Sequence, residues 1–354
     1  MGFLIIPELS EAMQAVDAEL TRLLASLEQY PQVRPILADV RASRGKQIRP
    51  QLLLLSAGKA SAAASGSAGD AGKIAFGSSA ARGSAAGVDH ALAARDLYRL
   101  AALVEMVHMA SLVHDDIVDD SPLRRGRPTI QSRFGKDMAV YTGDLLLARV
   151  MQALFEENLT AYGADFARTI ARMCAGEIGQ YGCSYALDTS VEQYLDNISG
   201  KTAALFSLSC RLGALASGSE TQVTETLTRF GQKLGLLFQI RDDMLDFSAS
   251  PETDGKPAGM DFRSGILTLP VLYALESEAF RPRLRQLMLK AQSSGWESAD
   301  AEELQEVLRA SGGMQKARDK ARALGDELCE LLASLPEGVG RARLEQLKRK
   351  LIIE

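Results

Sequence analysis

The chain has 354 residues, 46% of them hydrophobic and 24% charged, with a formal net charge of -5. That is length enough for a large buried core and the balance of an ordinary soluble globular protein. The negative balance excludes general nucleic-acid binding, which needs a basic face, but not a local basic pocket for an anionic substrate. The four cysteines, Cys174, Cys183, Cys210 and Cys329, form no CxxC pair. They are expected to be small buried hydrophobes in a reducing compartment, neither a disulfide frame nor a zinc site.

Along the chain, the opening Met1–Pro7 is apolar but short and lacks a basic flank, so it does not read as a signal peptide. No run of about 18 apolar residues is apparent, so no membrane insertion is expected and the cytoplasm is the expected location. Leu20, Leu23, Leu24 and Leu27 recur at helical spacing, as do Leu100, Leu103, Met106 and Val107. Between them, the Ala/Gly/Ser-rich stretch at 57–89 reads as a flexible excursion looped out between two helices. Segments near 166–182, 191–217, 222–247 and 315–333 repeat the helical pattern, and Ser248–Gly265 breaks it with Pro and Gly. Strand-like alternation is hard to find. The expectation is an all-α protein, a single domain over 1–354, ending in the basic segment Arg341–Lys350.

Two aspartate clusters carry the chemistry. Asp115-Asp116-Ile117-Val118-Asp119-Asp120 and Asp242-Asp243-Met244-Leu245-Asp246 each follow a strongly apolar run. Residues four apart share a helix face, so Asp115 projects with Asp119 and Asp242 with Asp246. Like charges at that spacing weaken a helix unless cations lie between them. Magnesium suits such a site, because it takes oxygen ligands and bridges carboxylates to substrate phosphates. A lone DDxxD is as often a solvated helix end. Two copies, each closing an apolar helix, are not, and the alternating loop of an EF-hand is missing.

Basic residues gather nearby. Lys46 and Arg49 lie in Gly45–Pro50, and Arg124 and Arg125 follow the first acidic cluster. Arg binds diphosphate oxygens bidentately, whereas Lys acts as a point charge. Ser199-Gly200-Lys201-Thr202 imitates a nucleotide P-loop, but Leu195 stands where the pattern needs its first glycine and no strand precedes it. Lys201 remains a candidate diphosphate ligand.

With GKQIRP, HDDIVDDSPLRRGRPT, YTGDLLLA, GKTAALF, GLLFQIRDDMLDF and GKPAGMDFRSGILTLP in place, the chain resembles the trans-type polyprenyl diphosphate synthases over nearly its whole length. SCRLGALASG, the TLPVLYAL run and LPEGVGRARLEQL resemble the catalytic component of heptaprenyl diphosphate synthase from menaquinone-making bacteria. The resemblance implies an orthogonal helical bundle of the isoprenoid synthase type around a central cavity. It implies that Asp115, Asp116, Asp119, Asp242 and Asp246 hold Mg2+, three ions with the allylic diphosphate bound. Lys46, Arg49, His108 and Arg125 would bind isopentenyl diphosphate. Arg124, Lys201 and Lys256 would hold the allylic diphosphate, and Thr202 and Gln239 would line the site where the allylic cation forms. Ile266 stands where many relatives carry a lysine after the equivalent of Gly265, which puts a third lysine contact in doubt. The relatives work as homodimers or with a small non-catalytic subunit, and either assembly is expected here.

Product length is read from the helix before the first cluster. Short-chain relatives block the tunnel with an aromatic four or five residues before the first aspartate; here those positions are Ser111 and Ala110, and no aromatic occurs from Arg99 to Arg133. One turn further, Met106 is flexible enough to give way or set a soft floor. Small residues also simply allow close helix packing. With the resemblance, a hexa- to octaprenyl product is expected, heptaprenyl foremost, built on farnesyl diphosphate for the menaquinone side chain. The alternatives are a farnesyl or geranylgeranyl synthase, a terpene cyclase or head-to-head enzyme, and a non-catalytic partner subunit. The small residues oppose the first, the two basic motifs the second, and the full set of aspartates the third.

Overall fold

The computed structural model describes residues 6, 9–42, 45–58, 94–247, 259–293, 295–337 and 339–353. Beyond Gly58 the expected excursion lies outside these residues, and so does Lys256. The protein is all-α, as expected, and the described contacts fall into two units. The first comprises residues 1–170, 207–231 and 335–350, and the second 171–206, 232–334 and 351–354.

In the first unit, α1 (Ser10–Ala25) turns Met13, Val16, Leu20, Leu23 and Leu24 inward, the apolar stripe of an amphipathic helix. After α2 (Arg34–Ala42), α3 (Ile48–Ala57) buries every residue except Arg49. A helix buried on nearly every side, Gln51 and Ser56 included, belongs inside a core, so the one half-buried cation on it stands out. The long α4 (Ala94–Val118) packs against α1, α3 and α6 (Lys136–Glu156). Its inward residues include Leu100, Leu103, Met106 and Val107, as the spacing predicts. The helix stops at Val118, and the Asp119 amide bonds back to the Asp115 carbonyl at 2.9 Å.

A two-stranded hairpin, missed in the sequence, follows: β1 (Leu123–Arg124) pairs antiparallel with β2 (Arg127–Pro128). Its turn residues, Arg125 and Gly126, have φ of 53° and 75°. Positive φ at both central positions is the turn whose twist suits adjacent antiparallel strands. Strands of two residues give no alternation to detect. The short α5 (Ile130–Phe134) leads into α6; the Ser132 amide donates to its cap hydroxyl, Thr129.

Helix α6 and the cysteines bear on two further expectations, of which the second is corrected. Helix α6 reaches a mean hydropathy of 1.2 over an 18-residue window and is, by length and composition, one helix apolar enough to cross a membrane. Part of its apolar surface packs along α4, and its buried Arg149 is held by the Ser26 hydroxyl at 2.8 Å and Glu156 at 2.9 Å. Of the cysteines, all free, only Cys210 is buried, its thiol pushed up to about 12 by that burial, whereas Cys174 and Cys329 are exposed.

Helix α7 (Gly163–Gly182) precedes the run Val191–Ala216, in which α8 (Val191–Ile198) passes through a π turn, Ser199–Ala203, into α9 (Ala204–Ala216). Ser190 and Gln193 form a reciprocal capping box at the start of α8. Next comes α10 (Thr221–Asp246), which ends on the second aspartate cluster. In the second unit, α11 (Met260–Arg263) falls inside the Pro/Gly break, and α12 (Leu269–Leu275) begins with Pro270 in its first turn. Helices α13 (Arg281–Gln292), α14 (Ser298–Ala310) and α15 (Gly313–Ser334) complete that unit, with α12 packed on α15; α16 (Val339–Ile353) closes the chain.

Candidate active site

The first aspartate cluster is not uniform. Asp116 turns inward, buried, and Arg124 donates to its Oδ1 at 2.7 Å. Burial raises its pKa while Arg124 opposes the rise. Asp115 is half-buried and Asp119 exposed, so these two remain more open, as the four-residue spacing predicts. Asp120 is left-handed at φ 46° and pairs with Lys136 at 2.8 Å.

The basic residues of this unit converge. The guanidinium of Arg125 lies over Gly45, where a β-carbon would overlap it, so the hairpin turn reaches the Gly45–Pro50 segment. Burial lowers Arg49 to about 10; Glu105 and Asp115 favour its charge and Arg125 opposes it. His108 is held well below the usual imidazole range, by burial first and then by Arg49, Arg125 and Arg124. A neutral imidazole retains one N–H donor, which suits a phosphate oxygen. Lys46 is exposed on the same segment. Three of the five left-handed non-glycine residues among those described, Gln47, Asp120 and Arg125, fall on these loops. Such conformations cost about 1–3 kcal/mol each and concentrate at functional sites.

The second cluster has the same asymmetry. Asp242 is exposed, Asp246 half-buried and Asp243 buried. Asp243 anchors a network that motif spacing gave no reason to seek. Thr202 donates to Gln239 Oε1 at 2.6 Å, the Gln239 amide donates to Asp243 Oδ1 at 2.7 Å, and the Tyr194 hydroxyl donates to Oδ2 at 2.6 Å. Burial nonetheless pushes Asp243 up to about 6. Lys201, inside the π turn, lies 3.1 Å from Glu177.

Asp246 accepts from the amides of Met260 and Asp261, both at 3.2 Å, and so caps α11 from its own helix end. Asp261, not singled out as a site residue from sequence, is pushed up to about 8 by burial and then by Asp246 and Asp243. Only its place in a Pro/Gly break beside Lys256 hinted at it. On α4, Met106 and Ala110 are buried, and half-buried Ser111 donates its hydroxyl to the His108 carbonyl at 3.0 Å.

Among the described residues, no group of three or more His, Cys, Asp or Glu side chains converges to hold a metal ion. The donor set nevertheless fits magnesium. The Asp115/Asp119 and Asp242/Asp246 pairs offer only hard oxygen, and this ion is ordinarily held by one or two carboxylates completed by substrate phosphates and water.

The polyprenyl synthetase family model matches residues 31–308. Component 2 of heptaprenyl diphosphate synthase from Geobacillus stearothermophilus is 34% identical over 342 residues, covering 96% of this chain and 94% of that protein. The crystal structure of a decaprenyl diphosphate synthase from Rhodobacter capsulatus matches with a TM-score of 0.81 at 30% identity, over 98% of this chain and 96% of that one. The geranylgeranyl pyrophosphate synthase of Lactobacillus brevis also reaches 0.81, at 28% identity over 99% and 98% of the two chains. Backbone shape alone therefore does not separate short from long products.

Proposed function

Since the chain belongs to the polyprenyl synthetase family, we propose that its two open aspartate pairs carry the allylic diphosphate on Mg2+ and that it makes heptaprenyl diphosphate. It is a long-chain trans-prenyltransferase, with relatives across the heptaprenyl, nonaprenyl and solanesyl synthases. The observation that supports the site reading is the shared asymmetry of burial: the second aspartate of each cluster is buried and bonded to side chains, while the first and last are less buried, Asp246 accepting two backbone amides.

In this reading Arg49, His108, Arg125 and Lys46 bind isopentenyl diphosphate, and Arg124, Lys201 and Lys256 hold the allylic diphosphate. Bound Mg2+ would stabilise the negative charge that grows on the departing diphosphate. Thr202 and Gln239 present polar atoms beside the nascent cation, both fixed through Asp243, so that little reorganisation accompanies ionisation. The apolar helices exclude water that would quench the cation. The alkene of isopentenyl diphosphate then attacks, and a proton is lost to complete the new unit.

Ala110 and Ser111 support a long product, and farnesyl diphosphate is the primer we assign, for a menaquinone side chain. The chain acts as one catalytic domain, because the family match runs through both contact units. We place it in the cytoplasm, as a homodimer or with a small second subunit. Tyr141 and Phe155 on α6 expose apolar surface suited to such a contact, and two relatives are named as component 2 of their enzyme, which fits a partner.

The test is to incubate the purified chain with Mg2+, farnesyl diphosphate and labelled isopentenyl diphosphate and to size the products. A dominant heptaprenyl product is expected. A product that stops at geranylgeranyl would overturn the long-tunnel reading. No turnover, even with a small subunit from a two-component relative, would overturn the site assignment.

A further inference from the structure

The YTGDLLLA motif and His114 have no part in the function described so far, and the structure brings them together. The His114 side chain leaves α4 toward α6, placing Nε2 at 3.2 Å from the Val140 carbonyl oxygen and 3.5 Å from Asp144 Oδ1. A carbonyl only accepts, so Nε2 carries the proton and donates it. The ring rests on Gly143, where a β-carbon would overlap three of its atoms. The neighbouring Thr142 is buried and donates its hydroxyl to the Met138 carbonyl at 2.6 Å. Glycine, flanked by a fixed threonine and an aspartate, thus forms a seat for one imidazole.

The seat lies at the foot of the Asp115–Asp119 turn. That turn is already held on its hairpin side: Gln131 donates to the carbonyls of Asp116 at 2.7 Å and Ser121 at 3.1 Å, and Arg124 holds the Asp116 carboxylate. His114 holds it on the α6 side. One residue along a helix is a turn of roughly 100°, so fixing the direction of residue 114 fixes that of Asp115. A helix end held on one side alone would be free to fray.

We propose that His114 is a positioning residue for the Asp115/Asp119 pair, hooked over Gly143 and bonded to Val140 and Asp144 so that the carboxylates meet Mg2+-diphosphate in one orientation. It touches no substrate itself. The proposal rests on the reading that Asp115 and Asp119 carry that complex.

The experiment compares the full-length chain with H114A, H114Q and G143A. Magnesium-dependent binding of farnesyl diphosphate is followed by calorimetry without isopentenyl diphosphate, together with kcat, the KM for isopentenyl diphosphate and thermal unfolding. H114A is expected to lose about tenfold in binding and in kcat, the scale of groups that orient metal ligands, with the KM for isopentenyl diphosphate nearly unchanged. H114Q, whose amide can donate from a similar place, should recover most of the loss. G143A keeps the imidazole but displaces it and should resemble H114A. The proposal is overturned if H114A binds like wild type, or if H114Q is as impaired as H114A. Should H114A fail to fold, H114Q set against G143A decides. Should wild type itself bind no farnesyl diphosphate with Mg2+, the reading of Asp115 and Asp119 falls and this proposal with it; wild-type binding with unaffected variants removes His114's role alone.

Discussion

The Tyr194 hydroxyl donates a 2.6 Å hydrogen bond to Asp243, whose other oxygen is taken by Gln239. Both donors oppose the rise in the Asp243 pKa that burial causes. Tyr194→Phe removes one of them and leaves a buried carboxylate half satisfied. A hydrogen bond to a charged group contributes about 1.5–3 kcal/mol, so a stability loss of that order is expected in chemical denaturation. Activity should also fall, because Asp243, which holds Gln239, loses one of its two side-chain donors. A variant with wild-type stability and kcat would show that the network is dispensable.

Asp115→Ala and Asp242→Ala should behave in the opposite way. These open carboxylates stand four residues from like charges, a pairing that weakens a helix by about 0.2–0.5 kcal/mol. Their removal should leave the melting temperature unchanged or slightly raised, while kcat falls by about a hundredfold or more. Loss of stability in step with loss of activity would contradict the metal-holding reading.

The pH dependence has a definite sign. Asp261 is raised to about 8 and Asp243 to about 6, so the folded protein keeps protons that the unfolded chain has already released. The stability they contribute is fully present below the unfolded carboxylate range and is lost as pH rises toward 8. Denaturation at several pH values without divalent ions should show that decline, and Asp261→Asn should flatten its upper part. His108 acts in reverse. Its pKa is lowered, so its contribution is present above the usual imidazole range and fades as pH falls through it. A decline toward pH 8 that Asp261→Asn leaves unchanged would contradict this reading of Asp261.

Ser111→Phe and Ala110→Phe should shorten the product, by placing an aromatic ring in the part of α4 from Arg99 onward, which holds no Phe, Tyr or Trp. Ala110 is fully buried, and overpacking there costs about 1–3 kcal/mol, so Ser111 is the cleaner site. Product sizing by chromatography would show it. Unchanged chain length in both variants would mean that the tail does not run along α4.

Much of this was legible from the chain alone. The leucines of α1 and the apolar run of α4 are local periodicities, and local periodicity is what a sequence displays most directly. The aspartate pairs were legible for the same reason, since Asp115 and Asp119 or Asp242 and Asp246 need only a helix to share a face. What escaped was set by partners distant along the chain. Tyr194 lies 49 residues from Asp243, and nothing beside it marks it as a ligand to a carboxylate. The Arg125-Gly126 turn escaped because its strands are too short to alternate. The apolar character of α6 was underrated because Arg149 and Asp144 interrupt it, and the role of Gly143 needs the ring of His114 above it.

The π turn at Ser199–Ala203 places Lys201 and Thr202 inside a widened stretch of an otherwise continuous helix. Such a stretch is, in effect, a single inserted residue absorbed by the helix instead of by a loop. Losing any one residue there would restore a regular helix that looks sounder by every local criterion. It would also rotate everything before the turn by roughly 100° relative to everything after it. Tyr194, before the turn, and Thr202, within it, meet the same Asp243–Gln239 pair and would then fall out of phase. The irregularity is thus a phase-setting element, and improving the helix would dismantle the network.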